Sequence, residues 1–198
     1  MTSKKIVGIT GGIGSGKTFV CQILETMGYP VFYSDKEAKA ILVNNPVVKL
    51  QIIDLFGLNS YLENGQLNRN HLSSQIFNDK GLLAQMNQIV HPAVRNTFKE
   101  WVDQQSSPIV FNEAAIIFET GIYKQYDFTI LVTASKDTKL KRIQKRDNAS
   151  IEAIEKRMDA QWSDERKIPL ASFIINNDDN VMLLPQINEI ITQIEPAK

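Results

Sequence analysis

Cysteine is almost absent: Cys21 is the only one in 198 residues, which excludes an intramolecular disulfide and any paired-thiol metal or redox site. Histidine is nearly as scarce, and neither His71 nor His91 has other ligand types beside it at metal-binding spacing. Neither sign of charge prevails, since 22 Lys and Arg balance 22 Asp and Glu, so composition offers no general surface for nucleic acid or an anionic membrane. No apolar run approaches membrane-spanning length, and no signal-like apolar stretch precedes the first strand-like segment, so a cytoplasmic protein is expected. Internal repeats and low-complexity tracts are lacking too. The length suits one α/β domain with an insertion, and any anion site has to arise from local placement rather than bulk charge.

Such a placement stands at residues 8–18, Gly8-Ile9-Thr10-Gly11-Gly12-Ile13-Gly14-Ser15-Gly16-Lys17-Thr18. Gly11, Gly16, Lys17 and Thr18 fill every fixed position of the phosphate-loop pattern G-x-x-x-x-G-K-[ST]. The spacing demands a loop whose backbone N–H groups turn inward around phosphate oxygens, and glycines permit this because they tolerate positive φ. The backbone of Gly12, Ile13, Gly14, Ser15 and Gly16, with Phe19 just beyond, would line a bound nucleoside triphosphate. Lys17 would reach the β and γ phosphates, and the Thr18 hydroxyl would ligate Mg²⁺. Context supports the match over an ordinary glycine turn. Ile6–Ile9 reads as a buried parallel strand, and Phe19, Val20, Ile23, Leu24 and Met27 recur at helical spacing until Gly28. Cys21 falls inside that helix as a small packing residue.

Pro30-Val31-Phe32-Tyr33 predicts a second strand, with Ser34 or Asp35 capping a helix that carries Ala38, Ile41 and Leu42. A βαβ beginning of this kind predicts a parallel sheet. Residues 44–105 are then mainly helical. Pro46 opens a helix ended by Gly57, Asn68 caps a segment through Phe77, and Leu82–Val90 form another. Past His91-Pro92 a separate helix bears Val94, Phe98, Trp101 and Val102. Strand character returns at Ile109–Phe111, Phe128–Val132 and Phe173–Ile175, and a C-terminal helix runs from Met182 to Ile194. The expected organisation is a single three-layer α/β/α domain over 1–198. Its nucleotide-binding core is 1–43, 106–142 and 168–198, with a helical acceptor-side insertion at 44–105 and a basic helical lid at 143–167.

The acceptor side needs a carboxylate near the loop. Asp35 lies just past the second strand, and in an open parallel sheet the C-terminal strand ends converge on the ligand crevice. There it could orient an acceptor hydroxyl and take its proton, cap the next helix, or do both. Glu113 and Glu119 are alternatives for supporting Mg²⁺ through water, since no clear Walker-B aspartate closes a strand; each would need a cationic partner such as Lys17 or an arginine if buried. Arg142 and Arg146, one helical turn apart, form either a solvated helix face or a pair aimed into the cleft.

Taken in order along nearly the whole chain, these features resemble the dephospho-coenzyme A kinase family. The motifs that carry the likeness are the opening Gly8–Thr18, Ser34-Asp35 with Ala38-Lys39, Gly65–Arg69, His91-Pro92, and Ile116–Glu119 with Gly121 and Tyr123. Lys141-Arg142, Arg146-Asp147, Arg157, Gln161 and Ile175–Asn177 complete it. Departures are Tyr33 at the first of two family aspartates, Ala115 at a common proline, and Asn176 at a frequent aspartate. The resemblance implies ATP-dependent phosphorylation of the ribose 3′-hydroxyl of dephospho-coenzyme A. Under it Asp35 is the base, Lys17 and Arg142 are the catalytic cations, Asn177 contacts adenine, and Asp35, Arg69, His91 and Arg146 hold the acceptor. His91 has a second reading as a satisfied helix-end residue, and His71 reads as surface or packing. It also implies two diffusible substrates, without nucleic acid, membrane or an obligatory protein partner. The competing readings are another small-molecule or nucleoside monophosphate kinase, a GTP-dependent switch, and a nucleotide-binding module without catalysis. Asp54–Gly57 superficially fits a switch D-x-x-G, but no N-K-x-D guanine-reading sequence accompanies it.

Overall fold

The computed structural model describes residues 4–195. β1 (Lys5–Thr10) runs into the glycine loop and then α1 (Lys17–Thr26), and β2 (Val31–Tyr33) leads straight into α2 (Ser34–Asn44). α3 (Pro46–Phe56), α4 (Arg69–Asn78) and α5 (Lys80–Gln104) follow. β3 (Ile109–Glu113) and β4 (Phe128–Thr133) precede α6 (Lys136–Asp147), α7 (Ile151–Asp159) and the one-turn α8 (Asp164–Lys167). β5 (Phe173–Asn176) and α9 (Leu183–Ile194) end the described chain. Short polar side chains begin several helices by accepting first-turn N–H groups. Asn45 Oδ1 accepts from Val47 and Val48, Asn68 Oδ1 from His71, and Ser150 Oγ from Ala153.

Among the described residues, five strands pair in parallel in the order β2-β3-β1-β4-β5. β1 is central, so the crevice between its two neighbours opens at its C-terminal end, where the glycine loop begins. Period-two alternation divides the strand residues between faces. Ile130 and Val132 of β4 join Val7, Ile9, Phe111 and Ile175 in a core closed by α1 and α9, through Val20, Cys21, Leu24, Ile187 and Ile191. Leu131 points the other way, into a cluster with Ile117 and Phe118 against which Trp162 and Ala171 pack. Burial on both faces explains why these strands are continuous apolar runs, and the layers are the three of an α/β/α fold.

The described chain divides into two compact units, one reaching Tyr33 and resuming at Gln105, the other Ser34–Gln104. The second is built on α2–α5 around Ile41, Leu42, Val48, Ile52, Phe56, Leu72 and Val90. Sequence pattern opens the insertion at residue 44; in the structure the second unit starts at Ser34, because Ile41 and Leu42 of α2 bury themselves in this helical core. A second difference is at Pro92, expected to separate two helices. α5 instead runs unbroken from Lys80 to Gln104 with Pro92 inside it. Pro92 forfeits one helical hydrogen bond, while Met86, Ile89, Val90, Ala93 and Val94 on either side of it pack into the same cluster, and that burial outweighs the local cost. Among the described residues no helix is long and apolar enough to cross a membrane.

Gly8 shows how closely the central strand is packed. A Cβ there would meet the edge of the Tyr126 ring, with Cε2 at 2.6 Å and Ile117 Cδ1 at 3.1 Å. The ring cannot easily yield, because Tyr126 Oη is held by Asn112 Nδ2 at 2.9 Å. Gly8→Ala is therefore expected to lower stability by about 1–3 kcal/mol through overpacking. Urea unfolding checks this, and an unchanged midpoint would show that the ring gives way.

Candidate active site

β1 ends at Thr10, and the loop beyond it turns back into α1 through Gly14 and Gly16 at φ +81° and +87°. These left-handed conformations penalise any residue with a Cβ, and at Gly16 an added Cβ would also collide with Asn177 Nδ2. Gly16 occupies the N-cap of α1, and among the described residues no side chain caps that end. The helix terminus thus presents backbone N–H groups and the positive end of its dipole to an anion. Ser15 Oγ, fully buried in the loop, has no hydrogen-bond partner among the described residues. Thr18 and Phe19, next along α1, are exposed, Phe19 by 56%.

Lys17 Nζ lies 3.6 Å from Glu113 Oε1, with both side chains largely buried. Glu113 is the last residue of β3 and stands in register with Ile9 of β1. The parallel order therefore brings this acid to the strand end beside the loop. The geometry separates the two acids that sequence left as alternatives, because Glu119 is engaged elsewhere: its Oε1 lies 2.9 Å from buried Lys167 Nζ and accepts from Trp162 N at 3.2 Å. The apolar run Ile109–Phe111, with an acid two residues past it, was the sequence signal for Glu113. Below this pair, burial pushes the Cys21 thiol well above its usual range, and the Glu113 charge adds to the shift, so Cys21 stays a neutral packing residue.

Several side chains brace the loop from outside. Asn177 Nδ2 donates to Ser15 O at 2.8 Å, so its amide is occupied by the loop itself. Ile13 N donates to Gln161 Oε1 at 2.9 Å. Lys139 forms an ion pair with Asp164, and both lie against Gly12. Arg142 Nη2 pairs with Asp179 Oδ1 at 2.8 Å, while its buried Nη1 lacks a hydrogen-bond partner among the described residues and lies 3.6 Å from where a Cβ on Gly16 would be. An unpaired donor of a fixed cation beside an uncapped helix end is a place for phosphate oxygens.

Comparison with known proteins accords with this geometry. The family model for dephospho-CoA kinase matches residues 5–182. The chain belongs to the dephospho-CoA kinase family. It is 40% identical over 186 residues to the dephospho-CoA kinase of Bacteroides fragilis, covering 93% of this chain and 90% of that one. A crystal structure from Thermus thermophilus superposes with a TM-score of 0.87 at 29% identity, covering 98% of this chain and all of that one. The dephospho-CoA kinase from Campylobacter jejuni gives 0.70 at 29% identity, with 96% and 97% covered. Membership of this family makes the chain an ATP-dependent kinase.

Of the other predicted residues, Arg146 does not share its partner with Arg142. Its guanidinium grips Asp147 at 2.7 and 3.0 Å, and Arg157 Nη1 reaches the same carboxylate at 2.6 Å. Hydrogen bonds from Arg146 and then Arg157 hold the Asp147 carboxyl well below the usual range. In the helical unit, Asp35 stands in the first turn of α2 rather than at its cap. Arg69 and Lys39 line a cavity of about 260 Å³ with Leu42, Leu67 and Met86. His91 lines a different one with Asn87 and Arg95, and its pKa is lowered by burial and then by the Arg95 charge. His71 instead spans to Phe56 O at 2.9 Å, a packing role.

Replacing Glu113 by Gln leaves the largely buried Lys17 ammonium without its counter-charge, and is expected to cost the nucleotide-free protein about 1–3 kcal/mol. Phosphate oxygens can take over as its partner, so ATP added in EDTA should raise the melting temperature of Glu113→Gln by more than it raises that of the wild type. Equal shifts in differential scanning calorimetry would show that Glu113 does not hold Lys17.

Proposed function

We propose that the enzyme transfers the γ-phosphoryl group of ATP to the ribose 3′-hydroxyl of dephospho-coenzyme A, giving coenzyme A and ADP. The observation that carries this reading is the largely buried Lys17–Glu113 pair at the mouth of an uncapped helix that begins on the glycine loop. Lys17 neutralises the transferring phosphate, and Arg142 adds charge with the Nη1 that has no hydrogen-bond partner among the described residues. Asp35, two residues past the end of β2, orients the 3′-hydroxyl and accepts its proton. The hydroxyl oxygen bonds to the γ-phosphorus as the bond from that phosphorus to the β–γ bridging oxygen breaks, and ADP leaves with the electron pair.

Mg²⁺ fits the residues present. Thr18, exposed directly after Lys17, would offer its hydroxyl, and Glu113 would support the ion through water. Among the described residues no cluster of three or more His, Cys, Asp or Glu could hold a metal by itself, which suits an ion that keeps its waters and shares phosphate oxygens. When bound, it would neutralise charge on the β and γ phosphates. Arg69 and Lys39 share their cavity with the polar Gln66 and Ser73 and with apolar walls that include Leu42 and Met86, which suits a pyrophosphate joined to a longer organic chain. His91, in a separate cavity, and Arg146 are further acceptor contacts in this reading. Asn177 serves the adenine side while its amide braces Ser15. The reading is of a cytoplasmic enzyme acting on two diffusible substrates.

An ADP-release assay across dephospho-coenzyme A, nucleoside monophosphates and shikimate tests the acceptor. Turnover with dephospho-coenzyme A should stand well above the ATPase background; no rise over background would refute the assignment. Asp35→Asn should still bind ATP but lose about 10²–10⁴-fold in kcat. Full activity in that variant would remove Asp35 from the proton's path.

A further inference from the structure

The Ile13–Gln161 hydrogen bond joins residues 148 apart in sequence. Ile13 lies in the first half of the glycine loop, where a backbone free to swing would misalign every N–H that follows. Gln161 lies just past α7 and its C-terminal Ala160, at the end of a segment rich in cations. No regular element joins the two, so the contact exists only because the chain after α7 returns to the loop.

That returning chain is firmly held. Trp162 N donates to Glu119 Oε1, and the same oxygen faces Lys167 Nζ, whose residue is fully buried. The Trp162 ring packs on the cluster of Ile117, Phe118 and Leu131, and the Arg166 guanidinium lies 3.4 Å from its centroid on the outer side. A side chain extending from such a base has one short reach and little freedom. Gln161 spends it on the phosphate loop. Beside it, the Lys139–Asp164 pair presses on Gly12, so the first half of the loop is gripped at two successive residues. The contact borders a cavity of about 630 Å³, lined by both Ile13 and Gln161, so a ligand can approach it without unfolding the segment.

The chemistry of the acceptor is informative. A neutral amide oxygen satisfies a backbone N–H without adding negative charge next to a site for a polyanion, which Glu or Asp at this position would do. We propose that Gln161 is a positioning residue: by holding the Ile13 amide it fixes the conformation in which the N–H groups of residues 14–18 converge on the phosphates of ATP. It acts through the loop and does not touch the reacting atoms. The proposal rests on the reading of the loop as the ATP site.

Gln161→Ala and Gln161→Met in the full chain test it, the second keeping the length of the side chain without the acceptor. Three quantities are read: direct ATP binding without acceptor substrate, the two KM values and kcat, and the melting temperature without nucleotide. Both variants should weaken ATP binding and raise KM for ATP about three- to tenfold, the worth of one hydrogen bond. KM for dephospho-coenzyme A should move less than about twofold, and melting should stay within about 4 °C of the wild type. A purely structural role would lower the melting temperature and disturb both KM values together, which would overturn the proposal. Tighter ATP binding in the variants would also overturn it, since Gln161 would then be a competitor for the amide that phosphate displaces. A wild-type chain that bound no ATP would defeat the ATP reading and the role of Gln161 with it. Failure of dephospho-coenzyme A as acceptor would leave the direct binding comparison intact.

Discussion

A loop that offers its backbone N–H groups to an anion cannot be held in shape by its own side chains. Glycine supplies the positive φ at Gly14 and Gly16 but also the largest entropy to lose on folding, about 0.5–1 kcal/mol per residue relative to Ala. The shape has to be imposed by neighbours. Here Asn177 takes the Ser15 carbonyl, Gln161 takes the Ile13 amide, and Glu113 fixes the Lys17 ammonium. Each is a small interaction, on the order of 1 kcal/mol, and together they offset the entropy that the glycines bring. They come from the ends of β3 and β5 and from the chain before β5, which the parallel order gathers on either side of β1. The fold is in this sense a device for keeping one loop still.

The same arrangement explains how a chain without net charge serves a highly charged ligand. The cations around the loop are matched by carboxylates: Lys17 by Glu113, Lys139 by Asp164, Arg142 by Asp179. Exposure separates them into two kinds. Asp179 is 69% exposed and its pair is worth little in water, so Arg142 can exchange it for phosphate at small cost. Glu113 and Asp164 are mostly buried and hold their cations in place even when no ligand is near. A small anion offers too little to compete with several such partners at once, whereas a triphosphate is long enough to meet backbone amides and more than one cation together. A chain without net charge has to hold a polyanion by local pairing rather than by an attractive overall field.

Much of this was legible in the residue order because local chemistry dictates it. The glycine loop, the strand before it and the helix after it are contiguous, and Asn68 caps its helix by a contact only three residues long. At Pro92 a local penalty stands against burial that the sequence does not display, and the helical core prevails. The partition of Glu113 from Glu119 required strand order, since only adjacency of β3 to β1 brings one acid to Lys17 and leaves the other with Lys167. Gln161 and Asn177 were visible as family positions, yet their bonds to the loop cross 148 and 162 residues and leave no local trace.

Chain connectivity adds a constraint of a different kind on the acceptor side. β2 ends at Tyr33 and α2 begins at Ser34 with no residue between them, so Asp35 stays within about 7 Å of chain from the strand end. Its placement depends on that junction as well as on the helical core in which Ile41 and Leu42 of α2 are buried. Arg69 and His91 depend on that core: Arg69 opens α4 after the Asn68 cap, and His91 sits beside Pro92 in α5, held by the burial of Val90 and Ala93. Covalent attachment at a strand-to-helix junction and burial in a helical core are two separate means of ordering charged side chains, and within this unit residues held only by helix packing can vary with the helices that carry them.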